Sequence, residues 1–272
     1  MVITVNNIMV KVEGLSKEFR GEMILQDVNI TLERGKIYGL VGMNGSGKTV
    51  FMKCLCGFLK PTTGKVTVDG KEVGKEIDFP QDLGLMIETP GFIPYMSGKS
   101  NLKNLALIRN QIGNYEIEEA LRSVGLDPNL KKHVSKYSLG MRQRLGIAQA
   151  IMEDPDILLL DEPTSHLDTY SQLALEQAIE KYEGAVLMVS HDFYTVANCM
   201  DYVLFVEEKK LRKMSIRKFR KMIYADHFDK NYLELEQKKK ELENRISFAL
   251  QTGKFEEAGK YCDDLEQIIN QM

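Results

Sequence analysis

Short apolar runs open the chain, helically spaced apolar positions fill its middle, and short runs return before a tail of different character. Residues 8 to 12 and 23 to 32 read as strands around a Gly-, Lys- and Glu-rich turn, and Lys36-Ile37-Tyr38-Gly39-Leu40-Val41 is an apolar strand that runs into glycines. Val50 to Leu59 reads as a helix closed by Lys60-Pro61, and Lys65 to Val68 ahead of Asp69-Gly70 as a strand and turn. From about Glu88 to Ile151 the spacing is mainly helical, which predicts a helical insertion in a sheet-based domain. Strands return at Ile157 to Leu160, Ala185 to Ser190 and Tyr202 to Val206, with a helix near residues 170 to 182 among them. That alternation predicts an α/β unit with a largely parallel core sheet. No repeat of that size is visible, so one such unit is expected.

The tail follows an alternating three-four spacing through Tyr232, Leu235, Lys239, Leu242, Ile246 and Ala249, with Lys239 the one position of different character. Phe255, Ala258, Cys262, Leu265, Ile269 and Met272 repeat the spacing. Between the two sets stands Gln251-Thr252-Gly253-Lys254, whose glycine suits a helix end. The expected arrangement is an antiparallel helical hairpin over residues 226 to 272, with Ala249 near Phe255 and Leu235 near Ile269. Residues 1 to 225 then form the main domain, its helical subdomain at about 88 to 151.

At 272 residues the chain is long enough for one large core with a small appendage. A formal net charge of -3, with 28% charged and 43% hydrophobic residues, gives no global reason to expect a polyanionic partner. Cys54, Cys56, Cys199 and Cys262 fit neither a disulfide framework nor the paired spacing of a zinc site, so buried, inert thiols in a reducing cytosol are expected. No stretch approaches the roughly 18 apolar residues that a membrane helix needs. Any membrane role is therefore expected to come through a partner or surface attachment.

Chemistry concentrates at two strand ends. Gly42-Met43-Asn44-Gly45-Ser46-Gly47-Lys48-Thr49 matches the P-loop pattern, and it follows a strand and precedes a helix as the pattern's mechanics demand. Its glycines let backbone N–H groups close around phosphates, and the helix N-terminus favours their negative charge. Lys48 is placed to reach the β- and γ-phosphates and Thr49 to ligate Mg²⁺. Gly42, Asn44, Gly45, Ser46, Gly47, Lys48, Thr49 and the first helical residue Val50 make the expected nucleotide-binding set. The run Ile157-Leu158-Leu159-Leu160-Asp161-Glu162 is a buried strand ending in two carboxylates, the Walker B arrangement. Given the P-loop upstream, Asp161 is expected to support the metal and Glu162 to serve as general base toward the attacking water.

With these motifs the chain resembles the ATP-binding cassette (ABC) ATPase family over approximately residues 8 to 222, because further family motifs follow in order. Tyr137-Ser138-Leu139-Gly140-Met141-Arg142-Gln143-Arg144 occupies the signature position, with Ser138 an N-cap candidate, although Leu139 and Met141 depart from the commonest Leu-Ser-Gly-Gly-Gln form. Ser165-His166-Leu167-Asp168 looks like the D-loop, with Asp168 at a dimer seam and His166 a polar loop residue. Ser190-His191-Asp192 places His191 as the switch histidine near the γ-phosphate, and Phe19 lies where the family puts an aromatic that stacks on adenine. Where the family usually has glutamine after a strand such as Leu83 to Ile87, this chain has Glu88, a third oxygen donor for Mg²⁺. Glu88-Thr89-Pro90-Gly91-Phe92-Ile93-Pro94 and the signature form resemble exporters of the bacitracin-resistance and lantibiotic-immunity type.

The resemblance implies a P-loop NTPase of the cassette type, with ATP and Mg²⁺, working as a homodimer or as a dimer with a related ATPase subunit. Ser138 and Gly140 of one subunit are expected to meet ATP held by the P-loop of the other. It implies a separate integral-membrane permease as partner and a cytoplasmic, peripheral place on the inner face of the membrane, with Phe92, Ile93, Tyr95 and Met96 either part of the groove that receives the permease or ordinary packing of the helical insertion. An alternative within the family is an ATPase that remodels a ribosome without a permease, to which Glu162 to Asp168, the segment after His191 and the hairpin are similar. Only under that alternative is nucleic acid an expected partner. The basic residues between Lys209 and Lys221 could face anionic lipid or RNA, and the commoner meaning of such a run is a solvated face.

Overall fold

Ten strands and nine α-helices make up the residues described by the computed structural model, 7–88, 91–227, 230–251 and 254–271. The two amino-terminal strands, β1 (Ile8–Phe19) and β2 (Glu22–Glu33), form an antiparallel ribbon closed by a turn at Arg20-Gly21. β1 runs well past the Val12 limit read from its pattern. Register shifts between Val12 and Leu15 and again between Leu15 and Lys17 break the period of two, and Gly14, at φ +60°, sits in the first of them. β4 (Thr63–Val68) and the short β5 (Lys71–Glu72) complete this four-stranded sheet in the order β2-β1-β4-β5.

The second sheet carries the chemistry. Its six strands run in the order β10-β9-β3-β8-β7-β6, where β3 is Ile37–Gly42, β6 Leu83–Met86, β7 Ile157–Asp161, β8 Ala185–Val189, β9 Tyr202–Glu207 and β10 Lys210–Ser215. All neighbours are parallel except β10, which turns back on β9. β3, β7 and β8 are apolar and buried on both faces, as a parallel sheet covered by helices requires. In register, Leu40 lies beside Val189, Asp161 beside Val189, and Leu160 beside Met86. The loops leaving β3, β6, β7 and β8 therefore emerge along one edge, where open α/β sheets hold their ligands.

Helix α1 (Lys48–Leu55) fills the space between the sheets, and Phe51 and Met52 are fully buried there. It ends before the Leu59 limit read from the sequence, because Gly57 takes a positive φ and a side chain there would collide with the Asp78 carbonyl. α2 (Gly98–Arg109), α3 (Asn114–Ser123) and α4 (Leu139–Ile151) form the helical insertion around Leu102, Ile117, Leu121 and Leu145. Buried Asn101 pins the preceding loop by accepting from Ile93 N at 2.7 Å and donating to the carbonyls of Ile93 and Ser97. Phe92 packs on the insertion's core, whereas Tyr95 is 71% exposed.

On the sheet's other face lie α5 (Thr169–Glu180), α6 (Phe193–Cys199) and α7 (Ile216–His227). The basic run is more than a solvated face: it becomes β10 and α7, which bury Leu211 and Phe219 while Lys210, Arg212, Arg217 and Lys218 stay in water. Lys213 lies over the rings of Tyr38 and Tyr202. Cys54, Cys56 and Cys199 are buried free thiols and Cys262 is half-buried. Burial, with a smaller push from the neighbouring Cys56 and against the charge of Lys17, raises the Cys54 thiol to about 11, which keeps it inert at neutral pH.

The tail forms α8 (Lys230–Gln251) and α9 (Phe255–Gln271), packed against each other, with Ile246, Ala249, Ala258 and Leu265 buried. Lys239 is buried with them, only 5% exposed, so the irregular member of the apolar spacing does face inward. Thr252 and Gly253, the side chains of Tyr232 and Phe255, Met272, and Thr89-Pro90 lie outside the described residues. No described helix is long and apolar enough to cross a membrane.

Candidate active site

The loop after β3 is shaped by backbone that only glycine adopts without strain. Gly45 has φ +78°, and Gly47, which stands at the N-cap of α1, has φ +100° with its Cα face 3.0 Å from Ile24 if a Cβ were added. Gly47 offers no side chain to the first-turn N–H groups, so they remain open to an anion. Ser46 Oγ is buried in this loop without a hydrogen-bond partner among the described residues. Lys48 folds back so that Nζ donates to the carbonyls of Gly42 at 2.8 Å and Met43 at 3.0 Å. Burial pulls its ammonium below the ordinary lysine value, and the carboxylates of Glu162 and Asp161 pull it back up.

Across from α1, Thr49 Oγ1 donates to Asp161 Oδ2 at 3.1 Å and joins the two strand-end motifs. Burial pushes the Asp161 carboxyl above the ordinary range; the Thr49 bond and Lys48 oppose it, while Glu162 and Glu88 add to it. The Thr49 hydroxyl bonded to Asp161, with Glu88 and Glu162 lining the same cavity, offers oxygen donors of the kind a hard divalent cation takes. Glu88 is at present held by Lys53 Nζ at 2.6 Å. Among the described residues no three His, Cys, Asp or Glu side chains gather closely enough to form a metal cage on their own, so Thr49 and phosphate oxygens have to supply ligands.

Glu162 follows β7 with φ +47°, and Glu88 and His166 also take left-handed backbone, at +59° and +64°. Non-glycine residues reach that region at a cost of about 1–3 kcal/mol, which the surroundings must hold in place. Here the holding is visible: Glu162 N donates to Val189 O at 3.0 Å, and Gln143 Nε2 of α4 donates to Glu162 O at 2.8 Å. The Glu162 carboxylate accepts from Ser165 Oγ at 3.2 Å and stands 3.2 Å from His191 Nε2.

Phe19, Asn44, Gly45, Gly47, Lys48, Thr49, Val50, Glu88, Asp161 and Glu162 line one cavity of about 560 Å³. Phe19 sits at its rim, 41% exposed, with Lys17 Nζ 4.8 Å from its ring centre. Gln143, Ser165 and His166 line it too, and none of the three was singled out for this cavity by sequence. Their signal lies in position only, Gln143 within the signature run and Ser165 and His166 within the D-loop run. His191 faces an adjoining cavity of about 190 Å³ that shares Glu162.

Ser138, Gly140 and Asp168 do not line either cavity. Ser138 caps α4 by accepting from Met141 N at 3.2 Å, as its sequence predicts, and Asp168 caps α5 by accepting from Ser171 N at 2.8 Å. A Cβ on Gly140 would stand 2.7 Å from the His166 carbonyl, so the signature turn lies directly against the loop after Glu162.

A family profile described as ABC transporter matches residues 25–165. An uncharacterized ABC transporter ATP-binding protein of Bacillus subtilis is 39% identical over 206 residues, covering 75% of this chain and 94% of that one. A lantibiotic transport ATP-binding protein of Streptococcus pyogenes is 36% identical over 208 residues, 75% of this chain and 89% of that one. The fold is similar to a solved dimeric bacterial ABC transporter cassette, with a TM-score of 0.67 and 25% identity over 77% of this chain and 99% of that one. With the P-loop, the strand-end carboxylates and the signature helix arranged as they are, the chain belongs to the ABC transporter family as an ATP-binding subunit, a family of ATPases.

Proposed function

We propose that this cassette hydrolyses ATP with Mg²⁺ in the cavity between β3 and β7 and thereby drives a separate membrane permease, in the manner of an exporter. The observation that carries the hydrolysis is the convergence of Lys48, Thr49, Asp161 and Glu162 on one cavity, with His191 3.2 Å from Glu162. Phe19 stacks the base, the loop from Gly42 to Thr49 and Val50 holds the phosphates, and Lys48 leaves its two carbonyls for them. Thr49, Asp161 and Glu88 would hold Mg²⁺, which supplies neutralisation of phosphate charge. For Glu88 that requires release from Lys53.

Glu162 accepts a proton from the attacking water as its oxygen bonds to the γ-phosphorus and the bond to the bridging oxygen breaks. His191 orients the water and the γ-phosphoryl group. Ser138, Gly140 and Asp168, which do not line this cavity, are assigned to a second copy's nucleotide by the likeness to the dimeric cassette, and ATP closes the pair. The relative named for lantibiotic transport and the dimeric cassette support the permease and the dimer.

The test is phosphate release by purified wild type, followed by capture of tagged Glu162→Gln with ATP from its native cells. Mg²⁺-dependent hydrolysis with a multi-span membrane protein in the captured material supports the reading. No hydrolysis, or ribosomal proteins captured without a membrane protein, refutes it.

A further inference from the structure

A second polar network begins where the catalytic one stops. Gln172, on the first turn of α5, lines the same small cavity as Glu162 and His191. Its Nε2 donates to Asp192 Oδ2 at 2.5 Å and to Thr195 Oγ1 at 2.8 Å, and Thr195 Oγ1 in turn donates to Glu176 Oε1 at 2.6 Å. Asp192 follows His191 directly, accepts from Tyr194 N at 2.8 Å as the cap of α6, and donates its own N–H to Ser190 Oγ at 3.1 Å. The turn that bears His191 is thus fixed from α5. Thr195 is fully buried and Glu176 is 8% exposed, a costly place for a carboxylate unless a cation stands near.

That cation comes from the tail. Lys239 of α8 reaches in with Nζ 3.6 Å from the centre of the Tyr194 ring and 3.5 Å from Glu243 Oε1. Its charge acts on Glu176, and α9 packs against α5 beside it. At the same end of α5 as Gln172, Asp168 caps the helix, and burial and the carboxylates of Asp263 and Asp168 hold the Cys262 thiol of α9 above its ordinary value.

We propose that Lys239 and Gln172 are positioning residues for hydrolysis: the hairpin, seated through Lys239 on Tyr194 at the start of α6, holds the α5–α6 network that sets the place of His191. The proposal rests on the ATPase reading above and deepens it. Lys239 touches no substrate. Its loss frees the turn at Asp192 and leaves the nucleotide loop as it was, so it lowers kcat and spares KM.

Steady-state hydrolysis of Mg²⁺-ATP by the full chain tests this, with Lys239→Met, Lys239→Arg, Gln172→Leu and the exposed control Lys254→Ala, together with hydrogen exchange over residues 190 to 195. Lys239→Met and Gln172→Leu are expected to lower kcat by about ten- to a hundredfold with KM changed less than about twofold. Exchange over the turn quickens, Lys239→Arg restores most of the rate, and Lys254→Ala matches wild type. Wild-type kcat in folded Lys239→Met or Gln172→Leu overturns the proposal, as does an equal loss in Lys239→Arg. Should Lys239→Met not fold, Gln172→Leu, which leaves the hairpin sequence intact, decides on the same outcomes. An inactive wild type removes the ATPase reading and this proposal together, whereas an active one with unaffected variants removes this proposal alone.

Discussion

His191 Nε2 lies 3.2 Å from Glu162 Oε1 because their strands are neighbours: Asp161 pairs with Val189, so the residues just beyond each strand end face one another. The backbone bond from Glu162 N to Val189 O fixes that registry one residue beyond the ladder. Glu162→Gln keeps the shape and removes the basic oxygen. Turnover is expected to fall by about 10²–10⁴-fold while ATP binding persists, checked by phosphate release alongside titration with a fluorescent nucleotide. Wild-type turnover in that variant would remove Glu162 as the base.

Asp161→Asn alters the carboxylate that Thr49 bonds. The Mg²⁺ concentration for half-maximal hydrolysis is expected to rise about 10–100-fold, and excess chelator should abolish turnover in wild type. An unchanged Mg²⁺ titration would place the metal elsewhere.

Gly47→Ala puts a methyl group on a residue at φ +100° and against Ile24 Cγ2 at 3.0 Å. The expected cost is about 1–3 kcal/mol of stability, with nucleotide affinity lost as the loop distorts. Differential scanning fluorimetry with and without ATP reads both, and an unshifted midpoint together with unchanged binding contradicts the strained geometry.

Arg34 Nη1 meets Asp156 Oδ1 at 2.6 Å and ties the turn before β3 to the start of β7. That hydrogen bond, opposed by slight burial and helped by the charge of Arg34, holds the Asp156 carboxyl below its ordinary value. A depressed folded-state value means that this contribution is present above the unfolded carboxyl value near 3.8 and is lost as pH falls through the lower, folded one. Both side chains are 45% exposed, so Asp156→Asn is expected to lose less than about 1 kcal/mol at pH 7, and less again at high salt. Urea midpoints at pH 7 and at pH 3 should show the difference from wild type shrinking with acid.

Much of this was legible in the chain. The three central strands are continuous apolar runs buried on both faces, and the motifs sit at their ends, so local pattern and final position coincide for Lys48, Asp161 and Glu162. Legibility failed where local signals conflict. Bulges around Gly14 hid the second half of β1, and seven residues of α6 were too few to show a helical period. The charges of β10 and α7 masked the buried Leu211 and Phe219. Gln143 and Gln172 act through neighbours 19 and 20 residues away, a relation that only the sheet's strand order creates. Lys239 read as a flaw in an apolar spacing, since nothing near it in sequence announces Tyr194 or Glu176.

The contact of Gly140 with the His166 carbonyl, together with the bond from Gln143 to Glu162, has a mechanical consequence. A Cβ on Gly140 would stand 2.7 Å from that carbonyl, closer than real Cβ atoms come. Any side chain at position 140 would wedge the insertion away from the loop beyond Glu162, so the seam between the two is kept closed by a single missing methyl group.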